Sequence, residues 1–375
     1  MAKRVRRQHT VSKFYLKGFA SDAERICRVS LPGHPSIVQS IGDATVVKDF
    51  YSITLPDGSK SDHFEKLFGE VEGVAAEALR KVLSGELIEG EHREAFATWV
   101  ALQHLRSEDI RSSQGSLSAG FIRIVVGASG KEALRSLIQE SESRVVSDEE
   151  LDWEWRDITK PGGPDLAPNV NQHMVMVGNL LPDTAAYLCD SHWTIYRFNR
   201  RSLVTSDHPV SLVVSSDYPK WQGVGILTAG VFLVPLSRRV ALAIQPRRHL
   251  ASKFGDASRA PDFEVSGTTQ MEKVINQETV KNSRRYIYHH PDDSPLGGLW
   301  VPQREDRARM SFSDGGELIR EEGLFSGMTE EQLRAWSGVT SREDGERGMS
   351  INDLPWPIPG RRGRRWDEKS EIISN

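Results

Sequence analysis

The chain has 375 residues, of which 38% are hydrophobic and 27% are charged, a balance typical of globular proteins. This composition excludes an intrinsically disordered chain, and the length allows one large hydrophobic core or two smaller ones. Lysine and arginine number 48 against 52 aspartate and glutamate residues, so the formal net charge is −4. A global positive field that attracts nucleic acid is therefore excluded, and any such binding has to be local.

The sequence predicts a cytoplasmic protein with reduced thiols. Its two cysteines, Cys27 and Cys189, have no CxxC spacing, so neither a disulfide framework nor a zinc site is expected. The basic N-terminal residues are not followed by the apolar stretch of about 7–15 residues that is typical of a signal peptide. No window reaches the roughly 18 apolar residues that span a bilayer, so membrane insertion is not expected.

The first part of the chain predicts short strands followed by helices. Short β-branched runs between proline and glycine turns predict strands from Ile26 to Tyr51. In DHFEKLFGEVEGVAAEALRKVLSG the apolar residues recur at the spacing of an amphipathic helix. Asp62 and Glu65 form a predicted capping box, and Gly85 is the predicted stop. EHREAFATWVALQHLR, GFIRIVVG and KEALRSLIQESESRVV are further predicted helices.

The middle of the chain changes from a helical to a β pattern. Apolar spacing predicts a helix from Asn169 to Cys189, which Pro182 is expected to kink or divide. Short β-rich runs then predict a mostly antiparallel sheet, formed largely by residues 192–246 and 285–289.

A helix from Val265 to Ser283 is predicted between the two parts of this sheet. Because helices come first and strands later, we expect an α+β fold in which a layer of amphipathic helices packs on the sheet. Residues 1–290 are predicted to form a single α+β domain. Residues 291–375 are predicted to be an extension or partly disordered tail with a short helix near 329–336.

The N-terminal run RRQHTVSKFYLKGF has a half-helical apolar pattern that predicts docking on the core. Docking would fix Gln8 and His9 in place, and Tyr15 lies in the same run. A lone histidine is more often a local hydrogen-bonding group than a catalytic group, so both interpretations of His9 stay open.

Two predicted helices carry polar residues beside their apolar faces. Glu65 and Glu72 are two helical turns apart, so their carboxylates point the same way. Trp99, Gln103 and Arg106 share one face of the next helix. Because a buried arginine needs a carboxylate partner, we expect Glu72 to pair with Arg106. A structural ion pair and a catalytic arrangement are both compatible with this pattern.

The remaining candidates lie further along the chain. Asp207 follows a β-branched run and precedes a turn containing Pro209, so it is either presented to a ligand or engaged in an Asx turn. His173 and Asn276 are single polar residues near apolar helical faces, which favours satisfied core groups over ligands.

Six segments together resemble the bacterial domain-of-unknown-function family 4238: QHTVSKFYLKGF, FEKLFGEVE, WVALQHLR, TSDHPV, FLVPLS and VIN…RRYIY. The resemblance covers roughly Arg7 to Tyr288 and supplies no activity. It implies that the polar positions of these segments belong together, so we expect one shared site that contains Gln8, His9, Glu72, Gln103, Arg106 and Asp207.

Two functional hypotheses follow. P-loop, dinucleotide-binding, zincin and nucleophile-elbow motifs are absent from the sequence. The first hypothesis is a metal-dependent hydrolase acting on a phosphodiester, either nucleic acid or a nucleotide. Asp207, Glu72 and His9 would be its catalytic residues and its Mg²⁺ or Mn²⁺ ligands. Its substrate-binding residues would be Gln8, Gln103, Arg106 and Tyr15. In the second hypothesis the same residues form the buried polar network of a non-catalytic binding or regulatory module.

Overall fold

The computed structural model describes residues 4–31, 35–214, 218–219, 223–248, 250, 260–302, 319–323 and 350–362. Contacts between Cα atoms divide the chain into two compact units, Met1–Arg111 with Val170–Arg307 and Ser112–Asn169 with Ala308–Asn375. This division differs from the predicted single domain at 1–290, because residues 112–169 group with the C-terminal part of the chain. The predicted helix near 329–336 lies outside the described residues.

The described residues form helices and mostly antiparallel strands, which confirms the α+β class. The helices are α1 Lys13–Leu16, α2 His63–Ser84, α3 Gly90–Leu105, α4 Glu108–Ser129, α5 Lys131–Glu142, α6 Asp148–Thr159, α7 Val170–Asp190 and α8 Thr269–Asn282. The strands are β1 Arg7–His9, β2 Arg25–Ser30, β3 Ser36–Ser40, β4 Val46–Lys48, β5 Ile53–Thr54, β6 Lys60–Ser61, β7 His192–Arg197, β8 Thr205–Ser206, β9 Ser211–Val213, β10 Val231–Ser237, β11 Val240–Gln245, β12 Phe263–Ser266 and β13 Tyr286–His289. Over these residues, none of the helices combines the length and the apolar character that a membrane crossing requires.

Helix α2 matches its prediction except at its N-terminus. Gly85 ends the helix in the left-handed conformation, with φ of 102°, and its N–H bonds to the Lys81 and Val82 carbonyls. The predicted capping box is wrong, because the Asp62 side chain makes no cap hydrogen bond. Its carboxylate accepts instead from the Val5 N–H at 2.7 Å, which ties the start of the chain to the start of α2.

Two other helices differ from their predictions, one in continuity and one in its starting residue. Pro182 lies inside α7 and does not divide it. Residues on both sides of the proline, Met174 and Leu188 among them, are buried in the hydrophobic core, so tertiary packing holds both halves of α7 in one helix. The predicted helix from Val265 starts later, at Thr269, because Thr268 caps it and Val265 belongs to β12.

Among the described residues, the strands of the first unit form two main sheets and two short two-stranded sheets. One sheet has the order β12-β7-β11-β10-β9 and the other has the order β3-β2-β13-β8. All pairs are antiparallel except β12 with β7. As predicted, residues 285–289 pair with a strand from 192–246, since β13 pairs with the short β8. The other neighbour of β13 is β2, and β7, β9, β10 and β11 belong to the separate sheet. The N-terminal β1 pairs with β4, and β5 pairs with β6.

The main core lies between helices α1, α2, α3 and α7 and the sheet that contains β7, β10 and β11. Along the last three turns of α3 nearly every side chain is buried, so α3 is a central helix with apolar contacts on all sides. The second unit has a core of its own, in which α4, α5 and α6 pack with Ile351, Leu354 and Ile358. Helix α6, which the sequence analysis missed, begins at a Ser147 side chain that accepts from the Glu150 N–H.

Candidate functional site

Residues 7–19 form an N-terminal segment that docks on the helical layer of the first unit. The segment consists of β1, α1 and a 3-10 turn at Lys17–Phe19. Its apolar side chains Val11, Tyr15, Leu16 and Phe19 are fully buried, as the half-helical pattern predicted. At Gly18 an added Cβ would lie 2.6 Å from the Leu236 carbonyl oxygen, so the backbone of the segment approaches β10 closely.

The hydroxyl of Ser12 is the hub of a buried polar cluster. It accepts hydrogen bonds from Trp99 Nε1 at 2.9 Å and from Arg106 Nη2 at 3.0 Å, and it donates to Glu72 Oε1 at 2.8 Å. A serine hydroxyl has one donor and two acceptor positions, so all three are used. We call Ser12, Glu72, Trp99, Gln103 and Arg106 the Ser12 cluster.

Arg106 brings a positive charge into this cluster with only 1% of its surface exposed. Its Nη2 forms an ion pair with Glu72 Oε1 at 2.8 Å, which confirms the predicted pairing. The same nitrogen donates to Gln103 Oε1 at 3.0 Å, and Gln103 Nε2 donates to the Thr10 carbonyl at 2.7 Å. The guanidinium therefore connects α2, α3 and the N-terminal segment.

Gln8 anchors the strand that precedes the cluster. Its side chain is fully buried, and its Oε1 accepts from the Tyr51 N–H at 2.6 Å. Its Nε2 donates to the Val5 carbonyl at 3.2 Å and lies 3.3 Å from Ser52 Oγ. These bonds hold β1 against residues 50–52 and use the amide that had been predicted to bind substrate.

His9 and Glu65 lie half-buried beside the Ser12 cluster. Burial lowers the pKa of His9, partly offset by its hydrogen bond to the Ala44 carbonyl and by the charge of Glu72. Burial also raises the pKa of Glu65 to about 7, and the negative charge of Glu72 adds to this shift while Arg106 opposes it. The site thus holds a neutral imidazole next to a carboxyl group that exchanges its proton near neutral pH.

Asp207 has a different environment from the Ser12 cluster. Its Oδ1 accepts from the Arg284 N–H at 2.8 Å, and its Oδ2 accepts from the Arg285 and Tyr286 N–H groups at 2.7 Å and 3.2 Å. Of the two interpretations left open by the sequence, these bonds favour the structural one, because the carboxylate fixes the start of β13 next to β8.

The predicted metal ligands Asp207, Glu72 and His9 do not form a coordination group. Across the described residues, no set of three or more histidine, cysteine, aspartate or glutamate side chains is arranged to hold a metal ion. The requirement for Mg²⁺ or Mn²⁺ therefore stays a prediction from the sequence.

Tyr15, which was predicted to bind substrate, is buried with its hydroxyl bonded within the fold. The hydroxyl donates to the Pro235 carbonyl at 2.6 Å and lies 2.7 Å from Thr205 Oγ1. Its ring packs on Trp99, with 5.2 Å between ring centroids. Tyr15 therefore ties the N-terminal segment to β8 and β10.

The two weaker candidates are satisfied core groups, as predicted. His173 Nδ1 accepts from Arg111 Nε at 3.0 Å, and its Nε2 bonds the Leu105 carbonyl at 2.9 Å. Asn276 accepts from the Val204 N–H at 3.0 Å and donates to the Ser202 carbonyl at 2.9 Å.

The sequence analysis missed three residues that matter in this region: Ser12, Tyr51 and Arg111. Ser12 stands in an apolar run at the start of α1, where serine is usually only a helix cap. Tyr51 and Arg111 did not stand out in the sequence, because tyrosine is common at turns and arginine is common on helices. A usable signal was the position of Arg111 five residues after Arg106, which places a second guanidinium in the first turn of α4, just past the end of the buried helix α3.

The fold and the polar cluster define an α+β protein with a docked N-terminal segment. The model of the family described as "Protein of unknown function (DUF4238)" matches residues 7–293. The chain belongs to this family. It has no significant match among curated proteins or among solved structures.

The raised pKa of Glu65 makes stability depend on pH. A carboxyl group whose pKa rises on folding binds its proton more tightly in the folded state, so its contribution is lost as pH rises from its ordinary pKa to about 7. We expect Glu65→Gln to gain stability relative to the wild type between about pH 5 and about pH 8.

Urea unfolding followed by circular dichroism across this pH range measures the difference. Glu70→Gln, an exposed glutamate on the same helix, is the matched control and should run parallel to the wild type. Parallel curves for Glu65→Gln and the wild type would contradict the assigned shift.

Proposed function

We propose that this protein is a non-catalytic binding or regulatory module whose buried polar network holds the N-terminal segment in place. The observation that carries this proposal is the saturation of the Ser12 hydroxyl by Trp99, Arg106 and Glu72. A catalytic group keeps hydrogen-bonding capacity for its substrate, whereas this hydroxyl has none left.

The energetics of the ion pair support the same interpretation. Glu72 keeps 24% of its side chain exposed, while Arg106 keeps 1%. Removing one partner of a buried ion pair leaves the other without compensation, which is strongly destabilising. Residues that serve catalysis are more often neutral or stabilising when replaced, because active sites are usually strained or electrostatically unfavourable.

Arg106→Ala therefore separates the two roles by its effect on stability. We expect the free energy of unfolding to fall by about 3 kcal/mol, the lower end of the range for buried pairs, because Glu72 retains contact with solvent. Thermal and urea unfolding measure this change. The exposed Arg80→Ala is the matched control and should stay within about 0.5 kcal/mol of the wild type. An Arg106→Ala protein as stable as the wild type, or more stable, would contradict the proposal.

A phosphodiester hydrolase is the second candidate, and one specific observation favours it. Burial raises the pKa of Glu65 to about 7 and lowers the pKa of the neighbouring His9. The two pKa values are therefore shifted in opposite directions from their ordinary values. Pairs of this kind are typical of general acid and base catalysts. Nucleic acid or a nucleotide would be the substrate, and Mg²⁺ or Mn²⁺ remains the expected cofactor.

The hydrolase candidate predicts an activity that depends on Glu65. With bis(p-nitrophenyl) phosphate or single-stranded DNA as substrate, Glu65→Gln should lower the rate by about 100-fold or more, since general acid–base groups contribute that much. Glu70→Gln should retain the wild-type rate. Product formation is followed by absorbance or gel, with and without Mg²⁺ or Mn²⁺. Absence of hydrolysis above the uncatalysed rate in all conditions would discard this candidate.

We also propose that the protein is located in a reducing bacterial cytoplasm. Its support is that Cys27 and Cys189 are both free thiols, since oxidising compartments favour disulfides.

A further inference from the structure

Arg111 is a buried cation whose hydrogen-bonding partner carries no charge. Only 7% of the residue is exposed, and its Nε donates to His173 Nδ1 at 3.0 Å. Burial lowers the pKa of His173 to about 4, so this imidazole is neutral at physiological pH. Burial likewise lowers the pKa of Arg111 to about 10, which indicates a guanidinium without sufficient compensation. The Arg111 Nη2 is buried and has no hydrogen-bond partner.

The carboxylate that acts electrostatically on Arg111 is engaged elsewhere. Glu108 contributes to the environment of Arg111 through its charge alone. The Glu108 Oε1 atom pairs with Arg285 and lies 3.5 Å from Arg284 Nε. The centre of the Phe50 ring lies 3.7 Å from Arg111 Cζ. This cation–π contact stabilises the guanidinium without neutralising its charge.

Two further donors without partners lie in the same region. The Tyr51 hydroxyl is fully buried and unpaired, and Arg106 Nε is buried and unpaired although its Nη2 belongs to the Ser12 cluster. Arg106 Cζ lies 5.7 Å from the centre of the Tyr51 ring, and both Arg106 and Arg111 act electrostatically on the phenol. The Phe50 and Tyr51 rings are in edge contact, with 4.8 Å between centroids.

A buried donor without a partner costs about 1–3 kcal/mol, so three of them in one region call for a physical explanation. All three are donors and two belong to guanidinium groups, which recognise oxyanions through several N–H bonds at once. A water molecule could satisfy one or two of these donors, but it would leave the charge of Arg111 uncompensated.

We infer that Tyr51, Arg106 and Arg111 form an oxyanion site that receives the phosphoryl group of a ligand. This inference deepens the proposed binding role and rests on it. Arg111 supplies the charge, Arg106 presents its buried Nε, which makes no hydrogen bond within the fold, and Tyr51 donates the neutral hydrogen bond. The phosphoryl group comes either from free phosphate or from a phosphorylated metabolite such as a nucleotide.

Isothermal titration calorimetry on the full chain tests this inference with inorganic phosphate as the probe. Adenosine monophosphate in a parallel series distinguishes free phosphate from a phosphorylated metabolite, and sodium chloride at equal ionic strength controls for screening. Tyr51→Phe and Arg111→Gln are the test variants, with Tyr196→Phe and the exposed Arg80→Gln as matched controls.

We expect saturable phosphate or nucleotide binding by the wild type, weakened about tenfold or more by each test variant because each loses a hydrogen bond to an anion. The controls should bind as the wild type does. Tyr51→Phe should unfold at or above the wild-type temperature, since it removes a buried hydroxyl that has no partner in the fold. Equal responses to phosphate and chloride, or unchanged binding in both test variants, would overturn the inference.

These outcomes remain separable from the proposed function, because the stability of Arg106→Ala is measured without phosphate. If Arg106→Ala is destabilised but phosphate does not bind, the oxyanion site fails while the architectural network stands. If Arg106→Ala is as stable as the wild type, the proposed module fails and the oxyanion site loses the role on which it rests.

Discussion

A buried guanidinium has to find its hydrogen-bond acceptors and its countercharge inside the protein, and Arg106 is the residue on which this constraint falls. Its acceptors come from three places in the chain: Ser12 in the N-terminal segment, Glu72 on α2 and Gln103 on α3. No single one of these elements satisfies the charge alone. The N-terminal segment and the two helices therefore have to assemble together, which makes the docking of the first residues a condition for the rest of the fold.

The nitrogens of Arg106 differ in their hydrogen bonding. Its Nη2 is saturated by the Ser12 cluster, which is the physical basis for regarding that cluster as architectural. Its Nε is buried without a partner, and the Arg106 Cζ lies 5.7 Å from the centre of the Tyr51 ring. One residue thus contributes both to the fold and to the oxyanion site, so that occupation of the site and the stability of the N-terminal segment are linked.

The sequence was sufficient to predict two of the central helices and one ion pair of the site. The spacing of apolar residues predicted α2 and α3, and the need of a buried arginine for a carboxylate predicted the Glu72–Arg106 pair. Asp207 shows the limit of this reasoning. A carboxylate after a strand looks the same in sequence whether it binds a ligand or three backbone amides, and only the position of β13 decides between them.

The unpaired donors show a second limit. The Tyr51 hydroxyl, Arg106 Nε and Arg111 Nη2 make no hydrogen bond in the fold. This depends on the positions of all neighbouring acceptors, and no local sequence pattern encodes it. The same holds for Glu65, whose predicted capping function is replaced by proximity to His9 and Glu72, because the chain before α2 turns back over the helix. Residue type predicted which groups could carry charge, while tertiary packing determined which of them are compensated.

We expect the Ser12 cluster to fix the N-terminal segment as firmly as the core is fixed. Hydrogen–deuterium exchange with mass spectrometry measures this directly, by comparing peptides from residues 7–19 with peptides from β10 and β11. In the wild type both sets of peptides should exchange at the same slow rate, through global unfolding, and Ser12→Ala should accelerate exchange in the segment first. Fast exchange of the segment in the wild type, while β10 and β11 stay protected, would contradict it.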